Sequence, residues 1–357
     1  MTRGVLVVSL IAVLVACLLV VGTAATTKIL RTSRRRRREQ LMRPFRAQLI
    51  AVSAGEDDEG SAARALTVAA GPARELVDQA AVDMLGKIRG LPADQLVGIL
   101  HAHGRVRQAI RELTHRSPVR RARAAQLLGL SRTEESVTVL VTALGDDAVE
   151  VRASAAYALG LIGDPAAAVA VLEAVDAPGA GLPAGLAAQA LLNMGIGISE
   201  ALSDAMRSDR VGARHVAAYV SGSGAFTRAL PSLRDLLEGD ADLTVRQASA
   251  TALGIMGTSL DVDVLAAHTA ADHPLPLRRT CAIALGELGD VAAVPSLASL
   301  LDDPDPRLAE LAASALLGLG PGGLAAVGAH RPSTGVERPG RPVEAALTMA
   351  RLQGVLR

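Results

Sequence analysis

The side chains that most often carry chemistry are histidines, cysteines and clustered carboxylates, and this sequence spreads them thinly. Its histidines are His101, His103, His115, His215, His268, His273 and His330. His101 and His103 are two residues apart, so on a helix they point to different sides, and no cysteine or carboxylate arrangement completes a zinc-binding set. We therefore expect no metal site, and we interpret the histidines as solvated or core-edge residues.

Neither cysteine is placed as a nucleophile or as a disulfide partner. Cys17 and Cys281 lie far apart in very different surroundings, which argues against a disulfide framework or a metal cluster. Cys281 stands among small apolar residues, where a buried and inert thiol is expected. Residues 14–17 resemble a bacterial lipobox, but the apolar residues after Cys17 favour a cysteine inside a spanning helix.

Two glycine-rich stretches, residues 179–185 and 222–224, superficially resemble phosphate-binding loops. Neither has the Gly-Lys-Ser/Thr ending or a preceding strand, so we interpret both as junctions between helices. An enzyme needs groups that converge on one pocket, and the sequence indicates no such set. We therefore expect a protein with no catalysis of its own, no cofactor and no small-molecule substrate.

The elements that carry these residues repeat along the chain. Compare "VRASAAYALGLIGD" (151–164), "VRQASATALGIMG" (245–257) and "LRRTCAIALGELGD" (277–290). Aligned on the residue after the final Leu, the repeat marks fall at Gly129, Gly160, Asn193, Gly222, Gly254, Gly286 and Gly318. The spacings are 31, 33, 29, 32, 32 and 32 residues, and a period of this length is typical of a solenoid.

Each unit divides into two helices. The junction Gly163-Asp164-Pro165 offers a glycine C-cap, an aspartate N-cap and a proline at the first turn of the next helix, and Gly289-Asp290 repeats the first two. Only four residues of the chain are aromatic, so Ala, Leu and Val must form the core, a mixture that favours helices. Because neither helix can bury its apolar stripe alone, neighbouring pairs must stack.

These repeats resemble the HEAT-like repeats, in particular the short bacterial form first described in phycobilin lyases. The resemblance covers roughly residues 91–320 and rests on the Val-Arg start, the Ala-Leu-Gly centre and the Gly-Asp turn, which recur together. It implies an all-α superhelix, an α-solenoid of about seven two-helix repeats. Such repeats serve mostly as scaffolds, so the resemblance implies a fold more than a function.

Charged residues recur at fixed distances from the marks. An arginine stands eight residues before the mark at Arg121, Arg152, Arg214, Arg246 and Arg278, and an aspartate precedes three of these by six residues, at Asp146, Asp240 and Asp272. Stacking predicts a ladder in which guanidinium groups bridge to carboxylates or helix-end carbonyls of the adjacent unit. We interpret this ladder as structural in preference to ligand-binding.

The third unit departs from the pattern. It has Gly185 where the arginine belongs and Asn193 where the glycine belongs, within a lengthened Pro/Gly-rich junction. Such a junction would bend the superhelix or present a loop. It could be a docking point, or it could reflect ordinary drift between repeats.

Residues 4–25 carry no charge and reach about 33 Å as a helix, enough for a ~30 Å hydrocarbon layer. The run is longer than a signal-peptide core, so we predict a transmembrane helix in preference to a cleaved signal. Arg3 alone precedes it, whereas Lys28, Arg31 and the run Arg34, Arg35, Arg36, Arg37 and Arg38 follow it. The positive-inside rule predicts a single-pass cell-membrane protein with its N-terminus outside and the solenoid in the cytoplasm.

The charge balance argues against nucleic-acid binding. Residues 28–46 carry nine basic groups and one acidic group, so with Arg3 and a whole-chain charge of +1 the remaining residues 47–357 carry −8. Phosphate binding requires the opposite sign. We expect the five arginines 34–38 to lie against anionic lipid headgroups, at about 1 kcal/mol per residue.

These patterns divide the chain into six parts. They are a transmembrane anchor (1–27), a basic juxtamembrane helix (28–52), an acidic flexible linker (53–63), the solenoid (64–328), a Pro/Gly-rich linker (329–342) and a short amphipathic helix (343–357). The glycine- and proline-rich composition after Gly320 predicts a mostly disordered segment. The final helix could cap the solenoid, touch the membrane or bind a partner.

We expect a membrane-anchored cytoplasmic scaffold whose solenoid offers a long acidic concave surface to a protein partner, another membrane or envelope protein. A membrane glycosyltransferase is one guess among several for this partner. Separately, the preference for arginine over lysine suggests a GC-rich bacterial genome. The alternative is a lyase-like or other enzyme subunit, which the scarcity of aromatic residues for a bilin pocket disfavours. Export of the repeat domain would follow if the span were cleaved or inverted.

Overall fold

A computed structural model describes residues 35–177, 179 and 181–330, together with Leu19, Lys28, Thr32 and Ser33. All of the regular structure in these residues is helical, as the sequence predicts. The chain divides into two compact units, unit 1 up to Arg111 and unit 2 from Glu112 onward. This division falls inside the predicted solenoid of residues 64–328.

The described residues of unit 1 form helices that lack the repeated arginine and glycine marks. Residues 35–42 are helical (α1), and a 3-10 turn at Arg43–Phe45 leads into α2 (Arg46–Ala54), α3 (Ser61–Leu66), α4 (Gly71–Leu85), α5 (Leu91–Ala102) and α6 (Arg105–Glu112). Helices α2 and α3 pack on each other and on α5, which also contacts α4. Aliphatic side chains such as Val52, Leu66, Val77, Leu96 and Ile99 form the core.

Residues 53–63, expected to form a flexible linker, instead contain the end of α2, a turn and the start of α3. The buried Asp57 carboxylate accepts hydrogen bonds from the Ala62 N–H (2.9 Å), the Ala63 N–H (2.8 Å) and the Ser61 hydroxyl (3.2 Å). Burial opposes the charge on Asp57, but these bonds outweigh it and hold the pKa of the carboxyl below its ordinary value. One capping residue thus orders a stretch that composition alone makes flexible.

Unit 2 contains seven helix pairs. The first helices are α7 (Pro118–Ser131), α9 (Val149–Ile162), α11 (Ala184–Met194), α13 (Val211–Ser223), α15 (Leu243–Met256), α17 (Leu275–Leu288) and α19 (Pro306–Gly318). The second helices are α8 (Val137–Ala143), α10 (Ala168–Val175), α12 (Ser199–Met206), α14 (Leu230–Gly239), α16 (Asp261–Ala267), α18 (Val294–Ser299) and α20 (Pro321–Ala329). Short 3-10 turns occur at Glu134–Ser136, Pro165–Ala167, Ile196–Ile198, Thr227–Ala229, Val291–Ala293 and Leu300–Asp302.

The pairs stack in two layers, as an α-solenoid requires. Each first helix packs on the next from α7 to α19, and the second helices α10, α12, α14 and α16 pack on one another in turn. The predicted junction caps are present: Gly163 ends α9 in the left-handed conformation at φ +78°, and the Asp164 carboxylate accepts from the Ala166 N–H at 2.9 Å. Gly289 and Asp290 repeat this arrangement after α17.

A glycine lets each regular pair of first helices approach closely. A side chain at Gly254 would place its Cβ 2.7 Å from the Ala284 Cα, and one at Gly222 would lie 2.7 Å from the Ala252 Cα. Gly129, Gly160 and Gly286 face Ala158, Ala190 and Ala315 in the same way. Real Cβ atoms are not found so close to backbone atoms, so an approach this close requires a glycine facing an alanine.

The chain beyond Gly320 is more ordered than its composition suggests, since residues 321–329 form α20. Pro321 occupies its first turn, Val327 is buried, and Gly323 lies against the Leu316 backbone, where any side chain would collide. Residues 331–342 of the predicted linker and the predicted helix 343–357 lie outside the described residues. So does the predicted span at 4–25 apart from Leu19, and no helix among the described residues is long and apolar enough to cross a membrane.

Candidate functional site

The predicted ladder connects successive inter-repeat turns. The Arg214 guanidinium donates to both carboxylate oxygens of Asp240 at 2.6 and 3.0 Å, and its third bond goes to the Ser208 carbonyl at 3.0 Å. Arg121 makes the same three bonds, to Asp146 twice at 2.7 Å and to the His115 carbonyl at 2.9 Å. Hydrogen bonding between the partners raises the pKa of Arg121 and lowers that of Asp146. Each arginine therefore ties the turn before its helix to the turn before the next first helix.

The fifth arginine, Arg278, pairs in the same register as Arg121 and Arg214, while the aspartate six residues before it takes no part in the ladder. Arg278 donates to the Thr269 carbonyl at 2.8 Å and pairs with Asp303, while Asp272 is exposed and bonds to no residue that the structure describes. The ladder aspartates also accept the N–H two residues later, as Asp303 does from Asp305 at 2.9 Å. Residue 274 is a proline without an N–H, so Asp272 cannot form this turn.

Arg246, which the same register would pair with Asp272, donates instead to the Leu237 carbonyl at 2.9 Å. Arg152 also bonds only to carbonyls, those of Asp146, Asp147 and Gly181 at 2.8, 3.0 and 3.2 Å. Both arginines therefore make the expected bonds to backbone carbonyls but none of the expected bonds to carboxylates.

The third repeat has another connection in place of the arginine. The Asp176 carboxylate accepts from the Gly212 N–H at 3.1 Å and the Ala213 N–H at 2.8 Å, at the start of α13. A carboxylate at this end satisfies free N–H groups and favours the helix dipole. Asp176 thus crosses the irregular repeat and ties the end of α10 to α13.

The structure shifts the repeat mark by one residue in two units. Gly160 faces Ala190, and in the regular repeats such an alanine stands two residues before the mark, which makes Leu192 the mark and not Asn193. By the same argument Leu317 replaces Gly318, where a Cβ would have nothing within 4 Å. The arginine position of the third repeat is therefore Ala184 and not Gly185.

Leu192 changes the interface between α11 and α13. It stands where the regular repeats have glycine, and Val220 on α13 stands where they have alanine. A cleft of about 190 Å³ lies between these two helices, lined by Ala188, Gln189, Leu192, His215 and Tyr219 among others. Small-molecule pockets are usually ~300 Å³ or more, so the cleft suits a single side chain better than a small ligand.

An uncharged row of exposed side chains crosses the first helices. These residues stand three before each structural mark: Gln126, Tyr157, Gln189, Tyr219, Thr251, Ile283 and Ser314. We call them the outer row. It includes both tyrosines of the chain, 48% and 49% exposed, and Tyr219 lies at the cleft. The sequence could have revealed this row from the repeat spacing, but the slipped mark at Asn193 concealed it.

The second helices have a different surface. Their exposed carboxylates are Glu173, Glu200, Asp204, Asp235, Glu238 and Asp263. No exposed basic residue lies within the bounds of these helices, although Arg207 and Arg228 lie in the turns beside them. The second helices therefore present a net negative charge.

The histidines and Cys281 do not converge on a site, and the described residues contain no group of three or more metal-binding side chains. Burial raises the pKa of the Cys281 thiol to about 12, which suits an inert residue. In unit 1 the buried His103 Nδ1 lies 2.5 Å from the Asp78 carboxylate, which Arg105 approaches at 3.8 Å. The spacing of Asp78 and His103 gave no sign of this pair.

The basic run lies partly within the described residues. Arg35, Arg36, Arg37 and Arg38 are exposed on α1, while Arg34 lies outside the described residues. Arg35 pairs with Glu39 at 3.0 Å, and Arg36, Arg37 and Arg38 pair with no residue that the structure describes. Arg35, Arg37 and Arg38 line a cleft of about 580 Å³ beside α4.

Comparison with known families identifies the repeats. A model of HEAT repeats matches residues 106–192 and 199–279, and one of the PBS lyase HEAT-like repeat matches residues 277–303. The chain therefore contains HEAT repeats and a PBS lyase HEAT-like repeat, as the sequence resemblance predicted. Neither match bears on the predicted anchor or bacterial origin, which stay predictions. No curated protein matches the sequence.

The search of solved structures found several similar chains. Human deoxyhypusine hydroxylase, in complex with glycerol, is 25% identical to this chain with a TM-score of 0.31. The match covers 79% of this chain and 100% of the hydroxylase chain. YibA of E. coli is 20% identical (TM-score 0.39, 70% and 97% covered). The CpcE–CpcF complex of the Nostoc phycocyanin lyase is 21% identical (TM-score 0.33, 68% and 94% covered). At these TM-scores the likenesses carry no argument about function.

Proposed function

We propose that this protein is a membrane-anchored, cytoplasmic HEAT-repeat scaffold that binds a protein partner on the outer row of unit 2 and has no catalysis of its own. The observation that carries the proposal is the exposure of both tyrosines of the chain in one uncharged row. Tyrosine is enriched among the residues that dominate binding energy at protein interfaces, and charged residues are depleted there.

The cleft between α11 and α13 supports the assignment of partner binding to the outer row. Its lining combines apolar carbon from Ala188, Leu192 and Tyr219 with the polar groups of Gln189 and His215. A partner that inserts one large apolar side chain would bury it beside Tyr219, while neighbouring residues of the row contact the same segment. We expect the partner to be another membrane or envelope protein, because anchoring confines both to one surface and raises their effective concentration.

The acidic second helices are the competing surface. Six exposed carboxylates there would attract a basic partner and accelerate its association. Such rim charges change association rates more than affinity, so we assign the stable contact to the outer row.

Co-purification of full-length protein from native membranes in mild detergent tests the proposal. The variants are Tyr157→Ala with Tyr219→Ala, and as a matched control Glu173→Gln with Asp235→Asn. We expect a partner, identified by mass spectrometry, to be lost with the tyrosine variant and retained with the control. Loss with the control alone moves the site to the second helices, and no loss in either contradicts binding on unit 2.

The anchor and its orientation need a separate test. A reporter fused after residue 357 that is active only in the cytoplasm should be active, because basic residues after the span hold that side inside. Activity of a periplasmic alkaline-phosphatase fusion would contradict the orientation. Recovery of the protein without detergent would contradict the anchor.

A further inference from the structure

We propose that the cleft between α1 and α4 binds the phosphate group of an anionic phospholipid. This deepens the membrane location proposed above and rests on it, but it does not depend on the partner-binding role of unit 2. The cleft lies wholly within unit 1, between the basic helix and the start of α4.

The cleft has the size and charge for such a ligand. Its volume of about 580 Å³ is within the usual range of ~300–1,000 Å³ for ligand pockets. Its charged lining consists of Arg35, Arg37, Arg38 and Glu75, a net charge of +2. Arg37 and Arg38 have no ion pair or hydrogen bond with any described residue, so their guanidinium donors are available to phosphate oxygens.

The start of α4 adds a second contribution. Pro72, in its first turn, lines the cleft, and the N-cap residue Ala70 supplies no side-chain cap. Pro72 itself has no N–H, so this end of α4 contributes the positive end of the dipole of a 15-residue helix, which favours an anion held by the arginines.

The apolar part of the lining distinguishes a lipid from free phosphate. Leu41, Pro72 and Leu76 provide carbon surface next to the arginines, and two of these, Leu41 and Leu76, are partly buried. Inorganic phosphate gains nothing from such a surface, whereas the glycerol and upper acyl chain of a phospholipid would cover it. The amphipathic lining therefore matches a ligand with a charged end and an apolar end.

Arg36 provides the matched control for this cleft. It carries the same charge on the same helix, is also exposed, and is absent from the lining. Diffuse attraction of a basic segment to an anionic surface would weaken equally when any one arginine is neutralised. A built site instead predicts that Arg37 and Arg38 matter more than Arg36.

Native mass spectrometry of the full-length protein, released from nonionic detergent micelles with added phosphatidylglycerol, counts bound lipids directly. We expect one tightly bound phosphatidylglycerol and no comparable binding of phosphatidylcholine. Arg37→Gln with Arg38→Gln should weaken binding at least about tenfold and Arg36→Gln less than about twofold, while Glu75→Gln should strengthen it about twofold. Millimolar inorganic phosphate should not displace the lipid.

Three results would overturn the inference: equal binding of the two lipids, equal weakening by Arg36→Gln and Arg38→Gln, or displacement by inorganic phosphate at the same concentration as the lipid. Circular dichroism of each variant controls for folding. Fractionation of cells without detergent separates the two proposals. A protein that sediments with membranes but shows no lipid preference would support the membrane location and contradict lipid binding in the cleft.

Discussion

Five interfaces between successive first helices place a glycine against an alanine, and the sixth, between α11 and α13, has Leu192 and Val220 at the corresponding repeat positions. The five regular interfaces leave no room for a Cβ, whereas the sixth leaves a cleft beside Tyr219. A constant period in sequence therefore does not give constant spacing in the stack. The size of two side chains decides whether an interface is closed or open to a partner.

The electrostatic connections differ between the same two regions. Two of the regular repeats use a bidentate arginine–aspartate pair, as Arg214 and Asp240 do. The irregular repeat has Ala184 at the arginine position and uses Asp176 to cap α13. The pair of Arg214 and Asp240 buries two charges, whereas the Asp176 carboxylate is exposed, so the two connections should respond differently to mutation and to acid.

The largest effect should come from Arg214→Ala. The Asp240 carboxylate is only 3% exposed, so removal of its partner leaves a buried charge without compensation, at a cost of about 3 kcal/mol in unfolding free energy. Hydrogen exchange measured by mass spectrometry should accelerate in α13 and in the turn that holds Asp240. Arg207→Ala is the control: its exposed pair with Asp204 should contribute less than about 0.5 kcal/mol. Similar changes in both variants would show that the ladder adds nothing beyond surface pairing.

Gly254→Ala should destabilise the protein by about 2 kcal/mol. The new methyl group would meet the Ala284 backbone at 2.7 Å, which forces α15 and α17 apart and exceeds the gain in helix propensity. Urea unfolding of the full chain in detergent, followed by circular dichroism, measures the change. An increase in stability would mean that the helices separate easily, and the contrast with the α11–α13 interface would then disappear.

Acid should weaken the regular repeats. Burial opposes the charge of Asp261, but hydrogen bonds from Arg234 and Thr258 outweigh it and lower the pKa of the carboxyl. A lowered folded-state pKa stabilises the fold above the unfolded value of about 3.9, and that contribution is lost as pH falls through the folded value. The melting temperature should therefore fall between pH 5 and pH 3, and Asp261→Asn should reduce the slope. A melting temperature that rises over this range would reverse the assigned sign.

The sequence predicted what depends on local spacing. Glycine and aspartate at the junctions act through the backbone a few residues away, so Gly163 and Asp164 could be assigned as caps without a structure. The register of the third repeat could not be assigned in this way, because the sequence does not show which of the adjacent residues Leu192 and Asn193 faces the next helix. Likewise, whether Arg246 has a carboxylate partner depends on whether residue 274 can donate an N–H, and the cleft at Arg37 depends on the approach of α4 from more than 30 residues away.

The smallest effect, and the one of opposite sign, should come from Gly185→Ala at the open interface. Gly185 lies in the first turn of α11, lines the cleft and has nothing within 4 Å of where a Cβ would stand. Alanine should therefore stabilise the helix by about 0.5 kcal/mol with no clash to offset the gain. Its methyl group would also narrow the cleft, so partner recovery should fall while stability rises. Glycine-to-alanine substitution would then destabilise the closed interface at Gly254 and stabilise the open one at Gly185. A loss of stability at both positions would show that α11 and α13 pack as tightly as the other first helices.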